Sequence, residues 1–291
     1  ALGSRMASRG QANLREGLGI WGGVTAHDGK LDADKDLNAG QVSNNGNGGE
    51  LGIDYRTAGN AWATGASGGW QDGDTSLPSR GSSTQNKTWH IGGYLRRGTG
   101  AEGFTIVGYG VHANADAKVT RNIVFGTIAR TALAQTDVAT TAIGVDMRYG
   151  WARDKWSYGP ALSMGGAHSE LSAFSENGAG ALNLTGAGNK DTAARIGLGG
   201  FARYTVANGY VDMTAHLIPG DRVDARATLT MAGSPQAFTV LAPRGSQSGI
   251  RLGASGQYDL ANNLSISGNL GVTQGARERD TYGDIRLSYR F

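Results

Sequence analysis

The chain has 291 residues, 27 lysines and arginines against 24 aspartates and glutamates, and no cysteine. The missing cysteine excludes disulfides and thiolate metal sites, and a formal charge of +3 with no basic run argues against nucleic acid as a partner. Glycine supplies 49 residues and proline only five, which excludes a Pro-rich linker and, with no G-X-Y period, a collagen-like chain.

Mean hydropathy is −0.33 and no apolar run approaches the ~20 residues a membrane helix needs. A membrane strand needs only ~9–11 residues, with one apolar face, so a bilayer location stays open. The opening "ALGSRMASRG" carries neither a signal peptide nor an initiator methionine, and it reads as the start of a fragment of a longer protein.

Residues 1–15 lack strand alternation. They contain the helix formers Leu2, Arg5, Met6, Ala7, Arg9, Gln11, Ala12 and Leu14, interrupted by Gly3 and Gly10 at ~1 kcal/mol each. From residue 16 onward the pattern is one of strands: 16–27, then a polar loop over 28–47, then 49–57, joined by a very short turn to 61–71. A loop over 72–86 precedes 87–97, which turns at "GTGAE" into 104–119. A long segment to about 137 precedes 139–151, and "ARDK" turns into 156–171. A Gly/Ala/Asn-rich loop over 172–189 leads to 191–206, "ANG" to 210–229, a loop over 230–245 to 248–260, "ANN" to 264–279, and 281–291 closes the series.

That makes twelve strands in which tight turns alternate with long loops. Short turns at one end and long loops at the other are the mark of an outer-membrane barrel, and closure removes edges that hydrocarbon would not tolerate. The fold expected is all-β, a 12-stranded antiparallel transmembrane β-barrel. A soluble all-β protein is the competing reading.

Parity assigns the faces. The outward sets include Leu51, Ile53, Tyr55; Trp89, Ile91, Leu95; Val107, Tyr109, Val111; Ile143, Val145, Met147, Tyr149; and Ile250, Leu252, Ala254, Tyr258. The opposite parity carries Glu50, Asp54, Arg56, His90, Tyr94, Arg96, His112, Asp146, Arg148 and Arg251. Each of these charges is penalised by several kcal/mol against lipid and belongs in a wet lumen. Gly52, Gly92, Gly108, Gly144 and Gly253 leave room inside or let strands bend. Tyr149, Trp151, Trp156, Tyr158, Tyr204, Tyr210, Tyr258 and Tyr289 lie near the short-turn ends or the terminus, where an aromatic girdle forms.

"GIWGGV", "GGELGIDYR", "HIGGYLRR" and the terminal "LSYRF", in that order over nearly the whole chain, resemble the C-terminal translocator domain of monomeric autotransporters. The resemblance implies an outer-membrane domain that anchors and helps export an N-terminal passenger in type V secretion. It implies that residues 1–15 are an α-helix inside the lumen and that 16–291 are the barrel. On this reading Arg5, Arg9 and Arg15 meet inward acids such as Glu50, Asp54, Asp146 and Asp212. Ile285, Leu287, Tyr289 and Phe291 resemble the signal by which the outer-membrane insertase reads a last strand, through strand addition. The implied partners are outer-membrane lipids and lipopolysaccharide, the insertase and periplasmic chaperones, and the chain's own passenger, with a monomeric barrel. The alternative is a stand-alone porin-like channel for small solutes, with the charged lumen residues selecting them.

Chemistry finds little support. Members that cut their passenger free use paired asparagines, whereas Asn13 here is followed by Leu14. His168 and Ser169 are adjacent in a strand and point to opposite faces, so they do not form a Ser–His pair. "DADKD" (32–36) lacks the later Gly and Glu of a calcium loop. "GLGIWGG" has no following helix for a phosphate loop. No catalytic residue, cofactor or metal site is assigned.

Overall fold

The structure, a computed structural model, describes residues 6, 7, 9, 16–34, 39–57, 59, 61–219, 226–241 and 248–291. Among the described residues there are sixteen strands: β1 (Gly17–Leu31), β2 (Val42–Arg56), β3 (Trp62–Leu77), β4 (Ser82–Arg97), β5 (Gly103–Phe125), β6 (Ile128–Arg153), β7 (Trp156–Leu171), β8 (Phe174–Ser175), β9 (Leu184–Gly186), β10 (Asn189–Val206), β11 (Gly209–Pro219), β12 (Arg226–Met231), β13 (Ser234–Leu241), β14 (Ser248–Asp259), β15 (Leu264–Gly275) and β16 (Glu278–Arg290). Twelve close into a barrel in the order β1-β16-β15-β14-β11-β10-β7-β6-β5-β4-β3-β2; β8, β9, β12 and β13 form a separate four-stranded sheet. Antiparallel pairing of β1 with β16, from Gly19 opposite Arg290 to Leu31 opposite Glu278, makes the closure. No helix among the described residues is long and apolar enough to cross a membrane; the chain crosses with strands, whose main-chain groups bond to their neighbours all the way round.

Tight turns join the strands at one end. Between β6 and β7 only Asp154 and Lys155 intervene, and Asp154 takes φ 54°, a left-handed conformation that Asp tolerates better than most residues. At the other end strands outrun the membrane: β5 and β6 stay paired out to Phe125 and Ile128.

The two faces alternate as a barrel requires. Leu51, Ile53, Ile91, Leu95, Ile143, Leu252, Leu270, Ile285 and Leu287 are exposed, while Glu50, Asp54, Arg56, His90, Arg96 and Arg148 are buried. Such large exposed aliphatics on a closed sheet form a lipid belt. Aromatic rings bound it. Tyr149, Trp151, Trp156, Tyr158, Tyr258, Tyr289 and Phe291 ring the short-turn end, and Trp70 and Trp89 face each other across β3 and β4 nearer the other end.

Four inward aromatics sit directly opposite glycines on the next strand: Trp21 on Gly52, Tyr94 on Gly65, Tyr109 on Gly144 and Tyr282 on Gly271. A methyl group on any of these glycines would collide with the facing ring. The glycines therefore make room for the inward rings.

Several expectations need correction. On β5 the faces are reversed: Val107 and Val111 are buried and Tyr109 packs beside Ala63, Tyr94 and Val107, whereas His112 is exposed on the outside. Gly108 accordingly faces outward, and Tyr210 is buried inside the lumen and belongs to no girdle. The long segment to about 137 is the end of β5 and the start of β6, joined by a turn at residues 126–127. The strand expected over 210–229 stops at Pro219, and residues 226–231 join the separate sheet. Of the helix expected over residues 1–15 only Met6, Ala7 and Arg9 are described, and Arg5, Asn13 and Arg15 lie outside the described residues.

Candidate lumenal docking site

Period-two alternation carries β2, β4, β6, β10, β11 and β16 past the lumen and leaves charged side chains on its inner wall. They gather in two clusters. The first is built on Asp54 of β2. Arg9 donates to Asp54 Oδ2 through Nε at 3.1 Å and again through Nη2. Arg290 of β16 donates to Oδ1 at 2.6 Å and to the Gly17 carbonyl. Arg9 also donates to Ser288 Oγ at 3.4 Å. Its guanidinium lies 5.0 Å from the Trp21 ring centroid, and Arg286 lies 5.1 Å from the same ring. Arg9 and Asp54 are only 2% and 1% exposed. A charge so enclosed persists only when paired and hydrogen-bonded, and here both carboxylate oxygens are occupied.

The second cluster is built on Asp212 of β11. Arg148 and Arg203 donate to Asp212 Oδ2 at 3.0 and 2.8 Å. Each is also stacked, Arg148 over Phe201 at 4.6 Å and Arg203 over Tyr210 at 4.1 Å. Asp212 thus meets two wall arginines. Glu50 accepts from Ser67 Oγ at 2.7 Å and lies 3.7 Å from His90 Nε2; the same Ser67 hydroxyl is 3.7 Å from the Met6 sulfur. Asp146 faces a cavity of about 100 Å³ that it lines with Ala7, Tyr109, His216 and Arg251. Arg56 and Arg96 are buried at 1% and 0%. Among the residues named from sequence, Arg9 and Asp54 are thus brought into contact, while Glu50 and Asp146 take other neighbours.

Sequence reasoning missed Trp21 and Arg203. Trp21 had a readable signal, since it shares parity with Gly19 and Gly23 rather than with Leu18 and Ile20, yet nothing local marks it as a platform for two cations. Ile285, Leu287 and Tyr289 of β16 and Phe291 just past its end face outward at 41–74% exposure, and Asp284, Arg286 and Ser288 face in. His168 is exposed and bonds Thr192, whereas Ser169 bonds Thr140; they do not meet. Among the described residues there is no group of three or more metal-ligating side chains.

A closed twelve-stranded barrel with a lipid-facing belt and a charged lumen is an outer-membrane protein. The family model described as the autotransporter beta-domain matches residues 20–271, and the chain belongs to that family. Its fold is similar to the translocator domain of NalP from Neisseria meningitidis, with TM-score 0.78 at 12% identity, covering 100% of this chain and 95% of that one. It is also similar to the beta domain of Bordetella BrkA, with TM-score 0.64 at 17% identity over 95% and 100% of the two chains. The transport unit of AIDA-I from Escherichia coli aligns with TM-score 0.59 at 14% identity over 99% and 98%. A search of curated protein sequences finds no match. As a family member the chain is the outer-membrane translocator and anchor of an autotransporter, which exports a passenger domain. The family match favours this over the porin-like channel.

Proposed function

We propose that residues 1–15 form an α-helix docked in the lumen, that residues 16–291 are the barrel around it, and that the Arg9–Asp54 pair is the dock tethering the exported passenger to its anchor. The observation that carries this reading is the burial of Arg9 with a forked contact to the β2 wall. Met6 and Ala7, also buried, have α-helical backbone together with Arg9, which supports the helix. Arg5 belongs to the same segment and meets lumenal acid on this reading; Asp146, with its cavity against Ala7, is the acid best placed for a second contact. Arg56, Arg96, Arg148 and Glu50 line the passage.

Export needs no bond-making step here; the barrel works by shape and charge, without a cofactor. The outward row Ile285, Leu287 and Tyr289 on β16, continued by Phe291, is the feature an insertase reads while β16 is still an unpaired edge. Periplasmic chaperones deliver the chain, and lipid and lipopolysaccharide surround the finished monomer.

The test of the dock is conductance in planar bilayers. Arg9→Ala and Asp54→Asn each raise the open probability of the pore relative to the parent. Identical traces from parent and both variants would remove the dock.

A further inference from the structure

The two connections that form the small sheet do not splay into solvent. Beyond the point where β7 stops, residues 172–177 continue along the edge of β6. Ser172 donates to the Asp137 carbonyl at 2.9 Å, and Leu133 and Asn177 exchange main-chain bonds at 2.8 and 2.9 Å. The chain then crosses the lumenal face of the β5–β6 hairpin. Arg121 of β5 forks onto Glu176 at 2.8 and 2.5 Å and reaches the Leu182 carbonyl at 2.8 Å. Arg130 of β6 donates to the Ala179 carbonyl at 2.7 Å. Glu176 also accepts from the Leu184 amide at 2.7 Å, so one carboxylate ties the segment to itself and to the hairpin.

Both arginines have lumenal parity on their strands; Ala179 is 0% exposed, and Ala117, Ala132 and Ala134, of the same parity on the hairpin, are 5%, 1% and 6% exposed. Gly178 and Gly180 hold φ of 95° and 62° at the bend, a conformation other residues rarely adopt. The β12–β13 turn rests on this segment through Ala232 to Asn183 and Gly233 to Ala181, both 2.8 Å. Val240 of β13 helps line a cavity of about 1020 Å³ together with Leu77, Ser83, Thr84 and Val119. Those residues belong to β3, β4 and β5, while β13 is rooted between β11 and β14, and in the barrel order β11 lies across the ring from β3 and β4. The small sheet spans the mouth.

We propose that residues 172–188 with β12 and β13 are a lid closing the long-loop end of the lumen, and that the Arg121–Glu176 fork is its latch. Charge-assisted forks are the stronger hydrogen bonds, and this one joins a barrel strand to the segment that must move if a polypeptide is to pass. The lid is distinct from the linker dock at the far end and stands or falls without it.

The chain has no native cysteine, so Thr84→Cys places one thiol in the cavity under the lid of the full-length chain in lipid vesicles. A small maleimide labels it readily; a maleimide on a long polyethylene glycol chain labels it roughly tenfold more slowly, as access through a minor open state requires. Adding Arg121→Ala removes that size discrimination, and the swap Arg121→Glu with Glu176→Arg restores it. The lid is overturned if the large reagent reaches Thr84→Cys as fast as Gly126→Cys at the exposed β5–β6 tip, and the latch if Arg121→Ala leaves the ratio unchanged. Hydrogen exchange on the unaltered chain reads the same question without a variant: slow exchange at the Asn177 and Leu184 amides supports a closed lid, and coil-like exchange contradicts it.

Discussion

At the scale of single residues, the lumen is organised by acids shared between arginines. Asp54 has two partners and Arg9 has one carboxylate, so the pair is unequal under mutation. Asp54→Ala strands Arg9 and Arg290 together and lowers barrel stability by about 3–5 kcal/mol, the range for breaking a buried pair. Arg9→Ala leaves Asp54 bonded to Arg290 and has the smaller effect. Unfolding midpoints in urea, read by the loss of heat-modifiable migration, order the two; an equal or reversed order would remove the shared-acid picture. The aromatic–glycine pairs predict a second effect. Gly144→Val drives a side chain into the Tyr109 ring and destabilises by about 1–3 kcal/mol, as overpacking does, while adding Tyr109→Ala recovers part of that loss.

At the scale of elements, strand parity decides what a substitution meets. Leu252→Arg sets a cation in the middle of the lipid belt and costs ~2–4 kcal/mol; unfolding from lipid vesicles measures it. Above the belt, on the β5–β6 hairpin, Asp116 and Asp137 are cross-strand partners and like charges meet there. Protonated Asp137 donates a hydrogen bond to Asp116, and with desolvation and the Asp116 charge this raises the Asp137 carboxyl above its ordinary value. A raised carboxyl contributes stability at pH below the unfolded carboxylate value and loses it as pH rises through the raised one. Asp116→Asn therefore flattens the pH dependence of hairpin hydrogen exchange across the acid range; an unchanged profile would contradict the pairing.

The twelve strands and their alternating connections were legible because period two and turn chemistry are local properties. β5 shows where that stops. Its larger apolar residues, Val107, Tyr109 and Val111, point inward because the lumen there is packed against Tyr94 and Ala63, leaving Gly108 and Gly110 toward lipid. Apolarity marks the lipid face only where the lumen is wet. The lid escaped notice for a related reason: β8 and β9 have two and three residues, too few to carry a period. Asp54 was legible as an inward acid. That Arg290 shares it follows from barrel closure, which joins residues 236 apart in sequence.

At the scale of the whole molecule, the lumen carries a charge sign. Arg56, Arg96, Arg148, Arg203, Arg251, Arg286 and Arg290 line it against Glu50, Asp54, Asp146, Asp212 and Asp284. With the N-terminal segment displaced, the wall retains an excess of cations and favours anions. Reversal potentials of the opened pore in a potassium chloride gradient fall on the chloride side; a cation-selective pore would count against this assignment of faces.

That assignment is tested most directly on β5, where structure and local apolarity disagree. Spin labels placed singly from residue 106 to residue 112 in lipid vesicles should alternate in collision with oxygen, with high values at 106, 108, 110 and 112 and low values at 107, 109 and 111. The opposite phase, or no alternation at all, would contradict a closed barrel with this face against lipid.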